Sequence, residues 1–585
     1  MANGVESKKR RRRKVVVPFS FSIADTICLL LLSLTSTACI WVFGGNRLWI
    51  MAPMILLVIL AAVVFIGRNL WSVYRYDLMV PPGGVWWVIF LLYLAGHVFV
   101  ANIPYEAKLE TFRYLSYVLA FWMWVNLLRV NHRWKWVLAA LMLSVSVMAW
   151  YALIQDVHGT NMVLNRPRPE QYGMRASGSY ICPNHFAHLL HMLIPVGVGV
   201  ALYKGSGIPL RLIAGYTALM AIPPLYLTES RSGWIGLMVG VVVMLLAVAL
   251  RRGWRRFLLM AVAAPLVAAL LGVGLWAISP RIQLRVEHAI QGDIRLPLWK
   301  DSIEMTRDHP LIGQGLGSFR WMYPHYQTHL QRYADAEFAH NDYLHFWIEI
   351  GAAGLAIAAI ALLLLVRRAV RVILADDNGS NTYLMAGLLG MVAGSMAHAF
   401  FDFNFHIYGN VHVFVLLLGL LIAVTSNKRH DRIVATNVPR ARWLAVASCL
   451  VLAAVTVFYL RAAWSYREVL VAEGGKTSLK WDEAQAAYQR AVMVSPENWK
   501  AHLGLAHLMR TRSFWNRHPE TRPAWIAMSR EHYETTLRLN PWAADAIYGL
   551  GSLYKMEKNH EKALEMRRLA VEKVPHNIFY LNELG

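Results

Sequence analysis

The stretch HNDYLHFWIEIGAAGLAIAAIALLLLVRR, from His340 to Arg368, decides the architecture. Between Tyr343 and Val366 it is an apolar run interrupted by one charge, Glu349. About 20 apolar residues suffice for a helix to cross the hydrocarbon of a bilayer. A polar entrance, His340-Asn341-Asp342, stands at one end and Arg367-Arg368 at the other, the arrangement of a span between two wet faces.

Similar runs recur on both sides of this one. Before it come Phe19–Phe43, Leu48–Ile66, Val85–Ile103, Thr111–Leu128, Trp136–Ile154, Asn184–Tyr203, Leu212–Leu227, Trp234–Leu250 and Phe257–Ile278. After it come Tyr383–Phe401, Val411–Thr425 and Trp443–Tyr459, so the expectation is thirteen spans, give or take one. Composition agrees. The 585 residues are 57% hydrophobic and 16% charged, against about 25% charged in an average soluble domain. That excludes an ordinary soluble enzyme or nucleic-acid binder, and disorder over most of the length. Four cysteines (Cys28, Cys39, Cys182, Cys449) without a CxxC spacing exclude a disulfide framework or zinc ribbon. The first span is too long for a cleavable signal and lacks a small-residue cleavage site.

The net charge of +23 is largely topological. With the N-terminus inside, the alternate segments 1–18, 67–84, 129–135, 204–211, 251–256, 367–382 and 426–442 carry 26 Lys and Arg; the opposite loops, longer in total, carry 13. Lys8 to Lys14, all basic, read as a cytoplasmic anchor beside the first span. An odd number of spans puts the C-terminal region outside. Three non-membrane pieces remain: exterior loops 155–183 and 279–342, and the tail from residue 461.

The tail reads as a helical repeat array. Pro541 and Pro575 are 34 residues apart, the tetratricopeptide period. Leu550-Gly551, Tyr554, Ala563 and Ala570 fall at the matching positions, as do Ala484, Tyr488, Ala491 and Pro496 in an earlier unit with an insertion that includes 516–523. Such an array is a docking surface and carries no catalysis by itself.

Candidate chemistry gathers on the exterior side. The segments are Arg175-Ala-Ser-Gly-Ser-Tyr180 with Pro183-Asn184; Thr228-Glu-Ser-Arg231-Ser-Gly233; Arg295-Leu-Pro-Leu-Trp299 with Asp308-His-Pro310 and Gly313-Gln-Gly315-Leu-Gly317; His340-Asn341-Asp342; and Asp402-Phe-Asn404-Phe-His406. Asp25 and Glu349 are charges inside spans. The three glycines lack the strand-turn-helix context of a nucleotide loop and read as a turn. His185, His188 and His191 step by three, which drifts about 60° per step on a helix, so at most two can share a metal. No acidic or Cys partner lies near them in sequence, and neither a metal nor another cofactor is expected.

The ordered set of motifs, on one side of a multi-span chain, resembles the O-antigen ligase/O-antigen polymerase family of bacterial envelope glycosyltransferases. The resemblance rests on Arg175 to Asn184, Ser230 to Gly233, Arg295 to Trp299, His309 to Phe319, and His340, Asn341, Leu344, Glu349 and Gly351, and covers roughly residues 170–410. It implies an all-α polytopic bundle in the bacterial inner membrane, with 279–342 as a large periplasmic loop. The chain then divides into a basic cytoplasmic N-terminus (1–18), a transmembrane ligase/polymerase-like domain (19–460) and periplasmic tetratricopeptide-like repeats (461–585). It also implies a glycan donor on undecaprenyl pyrophosphate and transfer to a glycan, lipid A core or protein acceptor, without nucleic acid. His340 is then the expected general base. Arg175, Arg231 and Arg295 suit the pyrophosphate, with Asn341, Asp402 and His406 as further substrate-binding candidates. The repeats are expected to take a protein partner. A protein O-oligosaccharyltransferase, a transporter and a non-enzymatic assembly scaffold remain alternatives; the last leaves the arginine and histidine set without a purpose.

The charge asymmetry makes a topological prediction. Reporter fusions after Asn427 and after Gly475 are expected to report opposite sides of the membrane. The same side for both would remove the thirteenth span.

Overall fold

The computed structural model describes residues 23–71, 77–130, 132–291, 295–328, 336–376, 379, 381–425, 433–435, 439–478, 480–515 and 520–584. The basic run of 8–14, and with it the whole 1–18 segment, lies outside them, as do 516–519 of the expected insertion. The chain is almost entirely helical. The first half holds α1 (Ile23–Trp41), α2 (Leu48–Trp71), α3 (Gly84–His97), α4 (Pro104–Leu128), α5 (Arg133–Val157), α6 (Pro183–Leu202), α7 (Ile208–Met220), α8 (Ile222–Leu227), α9 (Arg231–Arg251) and α10 (Trp254–Ile278). The loop between α10 and the next span holds α11 (Pro280–Gln291), α12 (Arg295–Asp308) and α13 (Phe319–Tyr326). Then follow α14 (Asp342–Leu374), α15 (Thr382–Ala399), α16 (Tyr408–Val424) and α17 (Pro439–Thr477). The tail holds α18 (Trp481–Val494), α19 (Trp499–Trp515), α20 (Arg522–Leu539), α21 (Ala544–Met556), α22 (His560–Lys573) and α23 (Ile578–Asn582).

Each of the thirteen expected segments overlaps a helix, although 19–22 of the first lie outside the described residues, Val85–Ile103 runs six residues past α3 and Leu212–Leu227 is divided between α7 and α8. Nine of the described helical segments are long and apolar enough to cross a membrane, and α3 and α16 are shorter apolar helices. The chain is therefore a multi-pass membrane protein. Hydrophobic burial cannot drive helix association in lipid, so contact depends on close packing of small residues. The centre of the bundle shows this. On α15, Gly390 and Gly394 face Gly240 and Gly236 of α9, and Gly387 faces Pro195 of α6. A Cβ on Gly394 would lie 2.5 Å from the Gly236 carbonyl oxygen, and one on Gly387 2.4 Å from that of Pro195.

The helix read from His340 to Arg368 is broken. Gly351 has φ 67° and ψ 178°, so α14 is two helices joined at a kink. A break inside a bundle orphans backbone groups that lipid cannot satisfy. Here the loop before α13 fills the gap. Gln314 N and Gly315 N donate to the carbonyls of Ile348 and Glu349 at 2.7 and 3.0 Å. Ala352 N and Ala353 N donate to Pro310 and Leu311 at 3.0 and 3.1 Å. The Tyr93 hydroxyl takes the Ile350 carbonyl at 2.7 Å. This close splice explains the glycine spacing: a Cβ on Gly313 would sit 2.5 Å from the Glu349 carbonyl, and Gly313, Gly315 and Gly317 all have positive φ.

The tail is built of paired helices with small residues at the crossings, such as Gly504 against the Tyr488 ring. It joins the bundle without a linker, because the expected boundary near residue 460 falls inside α17. It also packs back on the loop. Trp499 lies edge-on to Trp321 at 4.6 Å between centroids. Lys500 pairs with Glu106 at 2.7 Å, Lys108 with Glu497 at 2.6 Å, and His325 Nδ1 meets the Glu572 carbonyl oxygen at 3.0 Å.

Gly351→Ala is expected to disrupt the splice. Its Cβ would meet the Leu311 carbonyl oxygen at 2.2 Å, in a backbone region that itself costs a non-glycine residue about 1–3 kcal/mol. The measurement is monodisperse yield and thermal midpoint in detergent, and an unchanged midpoint would show that the kink is dispensable.

Candidate active site

The site is assembled from four segments, each fixed locally. Arg168, buried and absent from the candidates above, shapes the loop before α6. It donates to Asn161 Oδ1, the Gly173 and Arg175 carbonyls and Ser177 Oγ, at 2.7 to 3.1 Å. That loop delivers Arg175, whose Nε donates to the Thr228 carbonyl at 2.7 Å, while Ala176 N donates to Leu227 O at 3.0 Å. The Arg175 loop is thus strapped to the turn that opens α9. Ser230 caps that helix by accepting from Gly233 N at 3.2 Å, and Arg231 is its first residue.

Arg295 and Trp299 lie one helical turn apart on α12 and therefore share a face. Trp299 Nε1 donates to the Ala339 carbonyl at 2.9 Å, fixing the backbone just before His340. His340 itself has φ 50°. Asn341 caps α14, its Oδ1 accepting from Leu344 N at 3.1 Å.

These segments meet at Asp402, whose side chain is 1% exposed. Its Oδ2 accepts from Asn184 Nδ2 at 2.8 Å and lies 4.0 Å from Arg295. Its Oδ1 accepts from Phe403 N at 2.9 Å and lies 3.4 Å from His340 Nδ1. Asn184 Oδ1 in turn accepts from Arg175 at 2.7 Å. Burial alone raises the Asp402 carboxyl; His340 and Arg295 outweigh it and hold the group well below the usual carboxylate range. One buried anion thus gathers a partly exposed imidazole and guanidinium, and reaches a second guanidinium through Asn184.

The structure brings Arg175, Arg295, His340 and Asp402 into one connected cluster, with Arg231 on the adjoining turn. His406 stands apart, its Nδ1 2.8 Å from Asp342 Oδ1 and its ring 4.3 Å from that of His345 between centroids. His345, Glu349 and His406 form a group able to hold a metal ion, which separation by more than 50 residues of chain hid from the sequence reading. Of the run, His188 and His191 approach each other, with ring centroids 5.0 Å apart, and His398 joins them at 2.9 Å from His191, while His185 turns away and packs on Phe403.

Beside the cluster lies an apolar cavity of about 470 Å³ between α3, α4, α14, α15 and α16. Trp87, Phe121, Leu362 and Leu418 line it, and Asp342 and Tyr343 border it.

Residues 216–359 match the O-Antigen ligase family. The match spans Arg231, Arg295, His340 and Asn341 and stops short of Arg175, Asp402 and His406. It supports that family and a glycosyl-transferring ligase role, with a lipid-linked glycan donor and an acceptor. No curated protein matches the chain.

Asp402→Ala is expected to loosen the cluster. Leaving Asn184 without its acceptor, and His340 and Arg295 without the neighbouring carboxylate, costs about 1–3 kcal/mol, read as a lower thermal midpoint in detergent. Asp402→Asn is expected to recover part of the midpoint, because the amide oxygen still accepts from Asn184.

Proposed function

We propose that this chain transfers a glycan from undecaprenyl pyrophosphate to an acceptor hydroxyl on the periplasmic face of the bacterial inner membrane. The single observation that carries the reading is Asp402 with His340 at one carboxylate oxygen and Arg295 and Asn184 at the other. The acceptor oxygen attacks the anomeric carbon and loses its proton to His340 Nε2. Asp402 opposite Nδ1 favours the tautomer with the proton on Nδ1 and the lone pair on Nε2. The bond from the anomeric carbon to the phosphate oxygen breaks, and the pyrophosphate leaves with its electron pair. Arg175, Arg231 and Arg295 match that developing charge as planar forks. A lipid pyrophosphate is already a good leaving group, so no general acid is invoked.

This reading changes the role of three candidates. A carboxylate repels pyrophosphate, so Asp402 acts through His340, Arg295 and Asn184 rather than on the donor. Asn341 holds the start of the helix that His340 precedes. His406 belongs to the neighbouring buried group. The apolar cavity, bordered by a residue three positions from His340, suits part of the isoprenoid tail. The paired helices of the tail, read as tetratricopeptide-like repeats, serve a protein partner on the same side.

His340→Ala is expected to reduce turnover by about 10²–10⁴-fold with donor binding retained. Arg175, Arg231 and Arg295 variants are expected to lose binding and turnover together, with lysine a poor rescue. A folded His340→Ala protein with undiminished transfer would sink the assignment. Glycolipid profiling of a deletion strain separates accumulated lipid-linked repeat units, as a polymerase predicts, from unligated polymer, as a ligase predicts. No glycan change at all would favour a scaffold.

A further inference from the structure

One buried polar group lies behind the transfer site. His345 Nε2 is 3.3 Å from Glu349 Oε1, and one donor atom from each of His345, Glu349 and His406 lies within 4.8 Å of the others. All three residues are buried, at 2 to 3% exposure. Phe319, Phe338 and Phe346 wall the imidazoles, with ring centroids 4.9 to 5.5 Å from theirs.

Two features go beyond a packed polar cluster. With Nδ1–H of His406 donating to Asp342 at 2.8 Å, its Nε2 keeps a lone pair. Among the described residues that buried Nε2 has no hydrogen-bond partner. A carboxylate behind one imidazole nitrogen, with the other left open, is the outer shell of a metal-ligating histidine. The second feature is charge. Asp342 and Glu349 are buried carboxyl groups, and the nearby Arg113 guanidinium already pairs with the half-buried Glu110. A carboxylate is costly to bury ionised without a counter-charge.

We propose that His345, Glu349 and His406 bind one divalent cation of the zinc type. Two imidazole nitrogens and one carboxylate oxygen suit that ion, with water completing the shell. Zinc on His345 Nε2 requires the proton on Nδ1, so the 3.3 Å approach of the Ala339 amide to that atom gives way on binding. The ion staples the first turns of α14 to the 402–406 turn. The first follows His340 by two residues and the second carries Asp402, so the ion's role is structural and lies outside the transfer step.

The test uses the full-length chain in detergent, tag removed, dialysed against zinc and then against metal-free buffer. Elemental analysis is expected to find about one zinc per chain. His345→Gln, Glu349→Gln and His406→Gln are each expected to weaken binding and leave less than about a tenth of that, and Asp342→Asn to weaken it about 10–100-fold. A chelator is expected to lower the thermal midpoint of the natural chain only. Should a variant not fold, cobalt(II) in the natural chain reports the donor set. Intense visible bands of a four-coordinate site support the proposal, and the pale spectrum of a six-coordinate ion overturns it. Zinc absent from monodisperse natural chain, or retained in full by all three folded variants, also overturns it. None of these measurements requires a glycan substrate, so the result is independent of the transfer reading.

Discussion

The site depends on the repair of one broken helix. At Gly351 the backbone of α14 leaves helical geometry, and five of its polar groups need new partners. Segment 310–315 and the Tyr93 hydroxyl supply them at 2.7 to 3.1 Å. In lipid each unmatched backbone group costs several kcal/mol, so loop and helix hold each other in register. The same loop continues into α13, whose first amide, Phe319 N, donates to Glu349 at 3.3 Å. The loop between α10 and α14 is thereby anchored in the bundle, and α12 can bring Trp299 against the backbone beside His340.

Within that frame a single buried carboxylate does the sorting. Asp402 lies on the short link between α15 and α16, while Arg175, Arg295 and His340 arrive from elsewhere in the chain. The Arg295 guanidinium and the His340 imidazole are held around a shared anion, and Arg175 joins them through Asn184. Arg168 serves the same end through neutral acceptors alone. Its guanidinium fixes the loop that carries Arg175, so that side chain is held in place by the fold itself.

Much of this was legible because membrane chemistry writes long signals. The thirteen apolar runs all overlap helices among the described residues, and the Arg-x3-Trp and His-Asn motifs mark side chains that share a face or cap a helix. Other parts were not legible for physical reasons. The glycines at 313, 315 and 317 read as a turn, because nothing local says that their missing Cβ atoms make room for Glu349 and its neighbours. Asn184 sat in a quoted motif, but its bridge between Arg175 and Asp402 requires knowing that residues 218 positions apart touch. Arg168 looked like one more loop arginine. The grouping of His345 and Glu349 with His406 exists only once the 402–406 turn folds over α14.

The 39 residues of α17 form one helix, roughly 60 Å long at 1.5 Å per residue, about twice the thickness of the hydrocarbon core. Its far half pairs with α18, where Arg461 Nε and Ser465 Oγ donate to the Val494 and Ala491 carbonyls. The tail it carries is pinned a second time, through Trp499, Lys500 and Glu497 to Trp321, Glu106 and Lys108. Two anchor points on one body make a triangulated frame. A tail held at two places has less freedom to swivel at its root, and its second anchor lies on α13, whose Phe319 N donates to Glu349.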